Sequence, residues 1–218
     1  MLEDPTGLDE LRRLGARSVP VLSRGDDYVF AQNIGHVAKF LGLNEKTGPI
    51  LDPTQLMARL DLFLDAAIRM IPQMPDAKLI TEVPNRPRSY RVLGHHIFRI
   101  AETFLEVANG ETLLYENLTS RPPEGMHTTA DIAAYGTEVR QRLAAWWNAK
   151  RDKSARETVQ TYYGSQLLHE YLERSTWHVG QHVRQWNMLL GMSGITADRP
   201  PGENDFANLP MPTQVWDG

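Results

Sequence analysis

Apolar residues three and four positions apart dominate the chain after residue 52, and they predict a succession of long helices. In YRVLGHHIFRIAETFLEVAN, Leu93, Ile97, Ile100 and Phe104 form one stripe, with Ser89 as N-cap and Gly110 as the stop. An earlier segment, QLMARLDLFLDAAIRMI, repeats the spacing behind Asp52 as cap and Pro53 at the first helical position, until Pro72 ends it. TTADIAAYGTEVRQRLAAWWN predicts a third helix. The stretch from about Thr158 to Leu190 predicts a fourth, with Gly164 or Gly180 as points of bending. Between these segments lie a proline-rich loop from Pro72 to Pro87 and a loop from Gly110 to His127 carrying SRPPEG. Four such helices imply a bundle whose cofactor or metal sites are built from inward-facing side chains.

The first 43 residues follow another pattern. LDELRRLG is an amphipathic turn or two, SVPVLSRGDDYVFAQN two short strands around a Gly-Asp turn, and IGHVAKFLGL a helix with Gly42 near its end. This α/β fragment is too small to enclose a core of its own. The polar, proline-containing NEKTGPILDPTQ reads as the linker to the helical part. The tail DRPPGENDFANLPMPTQVWDG is expected either to wrap the bundle or to dock a neighbour through Trp216.

Composition narrows the chemistry. Lys plus Arg number 23 against 27 for Asp plus Glu, a formal charge of -4, and no basic stretch tracks a phosphate backbone, so nucleic acid is not an expected partner. Cysteine is absent, which excludes disulfides, thiolate nucleophiles and cysteine-held metals; any thiol chemistry needs a thiol from outside. The N-terminus is acidic and helical in pattern, unlike a signal peptide, and no apolar run is long enough to span a bilayer. A soluble, cytoplasmic chain with no membrane partner is the expectation.

Seven histidines carry the remaining question. His178 and His182, four apart, lie about 40° from one another around a helix, and Gln185 falls on the same side. Imidazoles at this spacing can converge on one metal ion, which then needs a third ligand from another element. On the helix after Ser89, His96 lies about 60° from Leu93 and borders the core, while His95 lies about 160° away and should face solvent. His169 is half a turn from His178 and reads as a surface residue. His96, His178 and His182 are therefore the candidate metal ligands; the competing reading makes them hydrogen-bonded polar residues and nothing more.

SYRVLGHHIFRIAE resembles the segment of the DinB-like (DinB/YfiT-type) metal-dependent four-helix bundles in which a Ser-started helix carries a ligand histidine, and the matching position is His96. WHVGQHVRQ is similar to that family's second signature, placing His178, His182 and Gln185. The resemblance covers about Asp52 to Ile195. GARSVPVLSRGDDYVFAQNIGHVAKFLGL is similar to the C-terminal half of glutaredoxins, with Val19 and Pro20 as the cis-proline pair that approaches a thiol; the redox cysteine motif and the glutathione-holding glycine element have no counterpart. Together these imply a mainly α chain: a truncated thioredoxin-fold (α/β) fragment over residues 1–45, a DinB-like four-helix bundle over 46–195 and a proline-rich tail over 196–218.

The function so implied is that of an enzyme whose three-histidine divalent ion activates water or a glutathione-like thiol for transfer to, or isomerisation of, a small electrophilic substrate. Zinc suits the imidazole set, and nickel and iron(II) do too. Gln185, Tyr162, Trp177 and Arg184 are candidate supporting residues, and the Val19–Pro20 segment a candidate thiol contact. The alternative is a non-catalytic metal-binding bundle acting as a dimeric binding or stress-response module. Trp146, Trp147 and Trp216 would either mark a self-association surface, giving a homodimer, or fill the core.

Overall fold

A computed structural model describes residues 5–16, 19–44, 47–84 and 86–216. Two compact units emerge, Met1–Gly48 with Tyr163–Ser165, and Pro49–Tyr162 with Gln166–Gly218. The boundary expected between residues 45 and 46 falls outside the described residues, and the tail from residue 196 onwards belongs to the second unit.

The first unit contains α1 (Pro5–Leu14), β1 (Val21–Arg24), β2 (Asp27–Phe30) and α2 (Ile34–Leu41). β1 and β2 form an antiparallel hairpin in the register Val21↔Phe30 to Arg24↔Asp27, and the Val19–Pro20 bond before it is cis. Asn33 caps α2 by accepting from the Gly35 and His36 amides at 2.8 and 3.3 Å, and Gly42 ends it at φ 72°. Ala38 is the only buried residue among those described before Gly48, as expected of a segment too short to wrap a core.

The second unit is mainly helical, with α3 (Pro53–Met70), α4 (Tyr90–Ala108), α5 (Tyr115–Leu118) and α6 (Thr129–Ala149) before a two-stranded sheet. That sheet pairs β3 (Thr158–Thr161) with β4 (Gly164–Leu167), and α7 (Leu168–Met192) and α8 (Glu203–Phe206) complete the chain. The four long helices pack in a ring in which α3 and α4 each touch both α6 and α7. Their starts are fixed locally. Asp52 and Gln55 satisfy each other's amides in a capping box, Thr128 and Asp131 do the same for α6, and Ser89 accepts from the Val92 amide at 3.4 Å. The Asp76 carboxylate adds a long-range cap, accepting from the Thr129 amide and hydroxyl at 2.8 Å each.

Three expectations are corrected. The fourth helix does not begin near Thr158: Thr158–Thr161 alternates exposed and buried positions, the signature of a strand, and Gly164 at φ 116° allows the turn that follows. α7 then runs unbroken through Gly180, where a Cβ would stand 2.8 Å from the Phe63 ring; the glycine permits close approach to α3 instead of a bend. The Gly110–His127 stretch is not wholly loop either, since it holds the single turn of α5.

The tail returns over the helices. Phe206 stacks on Phe63 at 5.0 Å, Asp205 meets Arg59 at 3.1 Å, and the Trp216 indole reaches the Met188 sulfur at 3.0 Å. Trp146 and Trp147 are half-buried, the first set edge-on to Phe104 at 5.4 Å. Among the described residues, no helix is long and apolar enough to cross a membrane.

The approach of α6 to α4 is fixed by Gly136, where a Cβ would fall inside the contact radius of the Phe98 ring. Gly136→Ala is expected to cost about 1–3 kcal/mol by overpacking, despite alanine's better helix propensity. Urea unfolding should show a lower midpoint at unchanged slope, while Gly125→Ala, where a Cβ meets nothing within 4 Å, stays within about 0.5 kcal/mol of the parent.

Candidate metal centre

α4 and α7 are neighbours in the ring, and the facing stripes of the two carry the histidines. Ligating nitrogens of His96, His178 and His182 all lie within 4.8 Å of one another. The ring centroids are 5.4 Å apart for His96 and His178, 5.0 Å for His96 and His182, and 4.8 Å for His178 and His182. His182 is buried, and His96 and His178 are half-buried.

Hydrogen bonding settles the tautomer of His182. Gln185 donates its amide nitrogen to the Val215 carbonyl at 3.0 Å, which turns its carbonyl oxygen toward His182 Nδ1 at 2.7 Å. An amide oxygen only accepts, so Nδ1 carries the proton and Nε2 keeps its lone pair. That Nε2 is buried and has no hydrogen-bond partner. Leaving such an atom unmatched costs about 1–3 kcal/mol, and a cation beside it would remove the deficit. Gln185 thus fixes the orientation of the His182 ring through one nitrogen and leaves the other free, the arrangement by which partners of metal-bound histidines act.

His96 is held from the loop side, by a hydrogen bond to the Leu118 backbone at the end of α5. Arg99, one turn along α4, fastens that loop by donating to the Asn117 carbonyl at 2.9 Å. Glu106, at 2.6 and 3.0 Å, and Glu102, at 2.8 Å, fix Arg99 in turn. Burial is the main reason that His96 is pushed down to about 3 and that His178 and His182 fall well below the ordinary histidine range; the Arg88 charge adds to it in all three. The rings are therefore neutral, the form in which imidazole binds a metal.

His95 lies outside the cluster, but it does not face solvent. Only 3 % of it is exposed, and its ring stacks on Tyr135 of α6 at 5.2 Å. The rotation about α4 was correct; what covers that side is a second helix. Its Nδ1 has no partner, and burial lowers its pKa to about 4. Tyr135 in turn donates to Glu102 at 2.6 Å. His169 is also corrected: it is half-buried, with Nε2 2.8 Å from the Leu51 carbonyl oxygen, and takes no part in the cluster.

Of the other candidates, Trp177 adjoins His178 at 5.6 Å with the Arg174 guanidinium 5.7 Å above its ring. Tyr162 packs edge-on against Tyr115 at 5.6 Å and hydrogen-bonds to Arg174, and burial raises its pKa. Arg184 points elsewhere: it donates to Gln181 and to the Pro212 carbonyl, and lines a surface groove with Met188, Phe206 and Val215. Two residues past His182 is over half a helical turn, so Arg184 is turned away from the histidines. Val19 and Pro20 lie in the first unit and are exposed, and no ligating group of the cluster comes from there.

Three supports escaped the sequence reading. Arg88, Arg99 and the Leu118 carbonyl all serve the cluster, and a backbone carbonyl leaves no trace in residue type. Arg88 did leave a trace. A cation next to the N-cap of a helix opposes the helix dipole, which makes it an unfavourable choice on stability grounds alone.

No family model matches the chain, and no curated protein matches it.

Substituting His96, His178 or His182 by alanine should each reduce bound metal at least tenfold by elemental analysis, whereas His95→Ala and His169→Ala retain it; Gln185→Leu should weaken affinity about 10–100-fold. The Glu102 network supplies a pH test. Its carboxylate is held below 4.5, with burial opposing and bonds from Tyr135, Arg99 and Arg142 lowering it, so its contribution is complete above pH 4.5 and is lost as pH falls through the folded value. Glu102→Gln should therefore be less stable than the parent at pH 7, and the gap should close as the pH is lowered below 4.5.

Proposed function

We propose that the chain is a DinB-like enzyme in which His96, His178 and His182 hold a divalent ion that takes a small molecule as its exchangeable ligand. One observation carries the reading: His182 Nε2 is buried, lone pair outward and unmatched, while Gln185 fixes the opposite side of the ring. His95 also leaves one buried nitrogen unmatched, but what sets His182 apart is that two further imidazole nitrogens, from His96 and His178, lie within 4.8 Å of its own.

The donor set fits a divalent cation. Three neutral nitrogens from α4 and α7 suit zinc, with nickel and iron(II) as alternatives, and no carboxylate joins the group among the described residues. Bound there, the ion supplies Lewis-acid charge that favours the anionic form of a water or thiol next to it. The chain itself does the rest. Gln185 and the Leu118 backbone hold two of the imidazoles in orientation, and His96 and His178 are half-buried, not sealed from solvent.

The nucleophile we assign is a low-molecular-weight thiol of the glutathione type, as the resemblance to the DinB-like bundles implies, for transfer to or isomerisation of a small electrophile; in a chain without cysteine it has to come from outside. Water in the same place would make the chain a hydrolase. Loading with cobalt or nickel and adding glutathione separates these. A new sulfur-to-metal absorption is the expected result, and it should disappear after chelation. A fully loaded protein with an unaltered spectrum would refute the thiol.

A further inference from the structure

Beside the histidines stands a cation that has no counter-ion among the described residues. Arg88 is half-buried, its Nε is buried with no hydrogen-bond partner, and Nη2 is only 3.4 Å from the Gln185 oxygen that also receives His182. No ion pair to Arg88 exists among the described residues, although Arg59, Arg69, Arg99 and Arg140 in the same unit all have carboxylate partners. The neighbouring charge that Arg88 does feel is that of Arg86, and desolvation pulls its own pKa down. Both effects make its position costly in the isolated chain.

The cost points to an occupant. Three neutral imidazoles leave a bound dication with its full charge, and Arg88 adds another positive charge through a two-bond path, Arg88 to Gln185 to His182. With no acidic side chain in the histidine group among the described residues, the loaded site would be strongly electropositive and would favour an anion as its guest. A planar guanidinium with a free Nε edge is matched in shape and charge by one carboxylate, which it can bind with two parallel hydrogen bonds.

We propose that Arg88 is the recognition residue for a carboxylate carried by the small molecule that occupies the metal site, so that the substrate or thiol cosubstrate is an organic acid, bridging guanidinium and ion. Specificity then resides in a residue from the loop before α4, outside both histidine-bearing stretches. This rests on the metal-site reading above, and it goes further by naming the charge and class of the guest.

Cobalt-loaded protein titrated with acetate, and separately with imidazole, tests it through the cobalt spectrum. Acetate should bind the parent at least tenfold more tightly than Arg88→Gln, with Arg88→Lys in between, while imidazole, a neutral metal ligand, binds all three alike. Equal acetate affinity in the parent and Arg88→Gln would overturn the proposal, as would a parallel loss of imidazole binding. Metal-free protein provides the second arm: the rise in Tm with acetate over chloride at equal ionic strength should be present in the parent and absent in Arg88→Gln. Loss of cobalt binding with this difference retained would sink the metal reading alone. Loss of the difference with cobalt binding intact would sink the role of Arg88 alone.

Discussion

Neutral imidazoles crowded into one half-buried corner between α4 and α7 are the constraint on which the rest of this structure depends. Burial forbids them charge, and the 4.8 Å spread of their nitrogens forbids them independence. Two helices must be held in a fixed register for this to persist. Gly136 against Phe98 and Gly180 against Phe63 set how closely α6 and α7 approach their partners, and a methyl group at either position would push them apart.

Around that corner, orientation is achieved by second contacts more than by the helices themselves. Gln185 is fixed by the Val215 carbonyl of the returning tail, and so a segment far along the chain decides the tautomer of His182. His96 depends on the Leu118 backbone, which depends on Arg99, which depends on Glu102 and Glu106. Glu102 also takes the Tyr135 proton donor and Arg142, tying α6 into the same chain of contacts. Such a network transmits displacement, because each member has one good geometry.

His95 and Arg88 mark two different kinds of polar burial. His95 is enclosed between α4 and α6 with a ring stacked on it, outside the histidine cluster, and its neutral form accommodates the loss of one hydrogen bond. Arg88 cannot neutralise itself so readily. A guanidinium retained without a carboxylate next to three imidazoles is difficult to rationalise as packing, and easy to rationalise as half of an interaction whose other half is a ligand.

Much was legible in the residues alone. Caps at Asp52 and Ser89 announced two helix starts, the apolar spacing announced their buried faces, and the four-residue interval from His178 to His182 announced a shared face, because each depends only on neighbours within a turn or two. The alternation in Thr158–Thr161 was as local and could have been read, but the long helical pattern after it overshadowed four residues. What lay beyond the sequence was adjacency: that α6 covers His95, that α5 offers a carbonyl to His96, that the tail anchors Gln185, and that no acid among the described residues pairs with Arg88. Periodicity gives the angle of a side chain about its own axis, whereas its neighbours are decided by how separate helices pack, and only the folded chain contains that information.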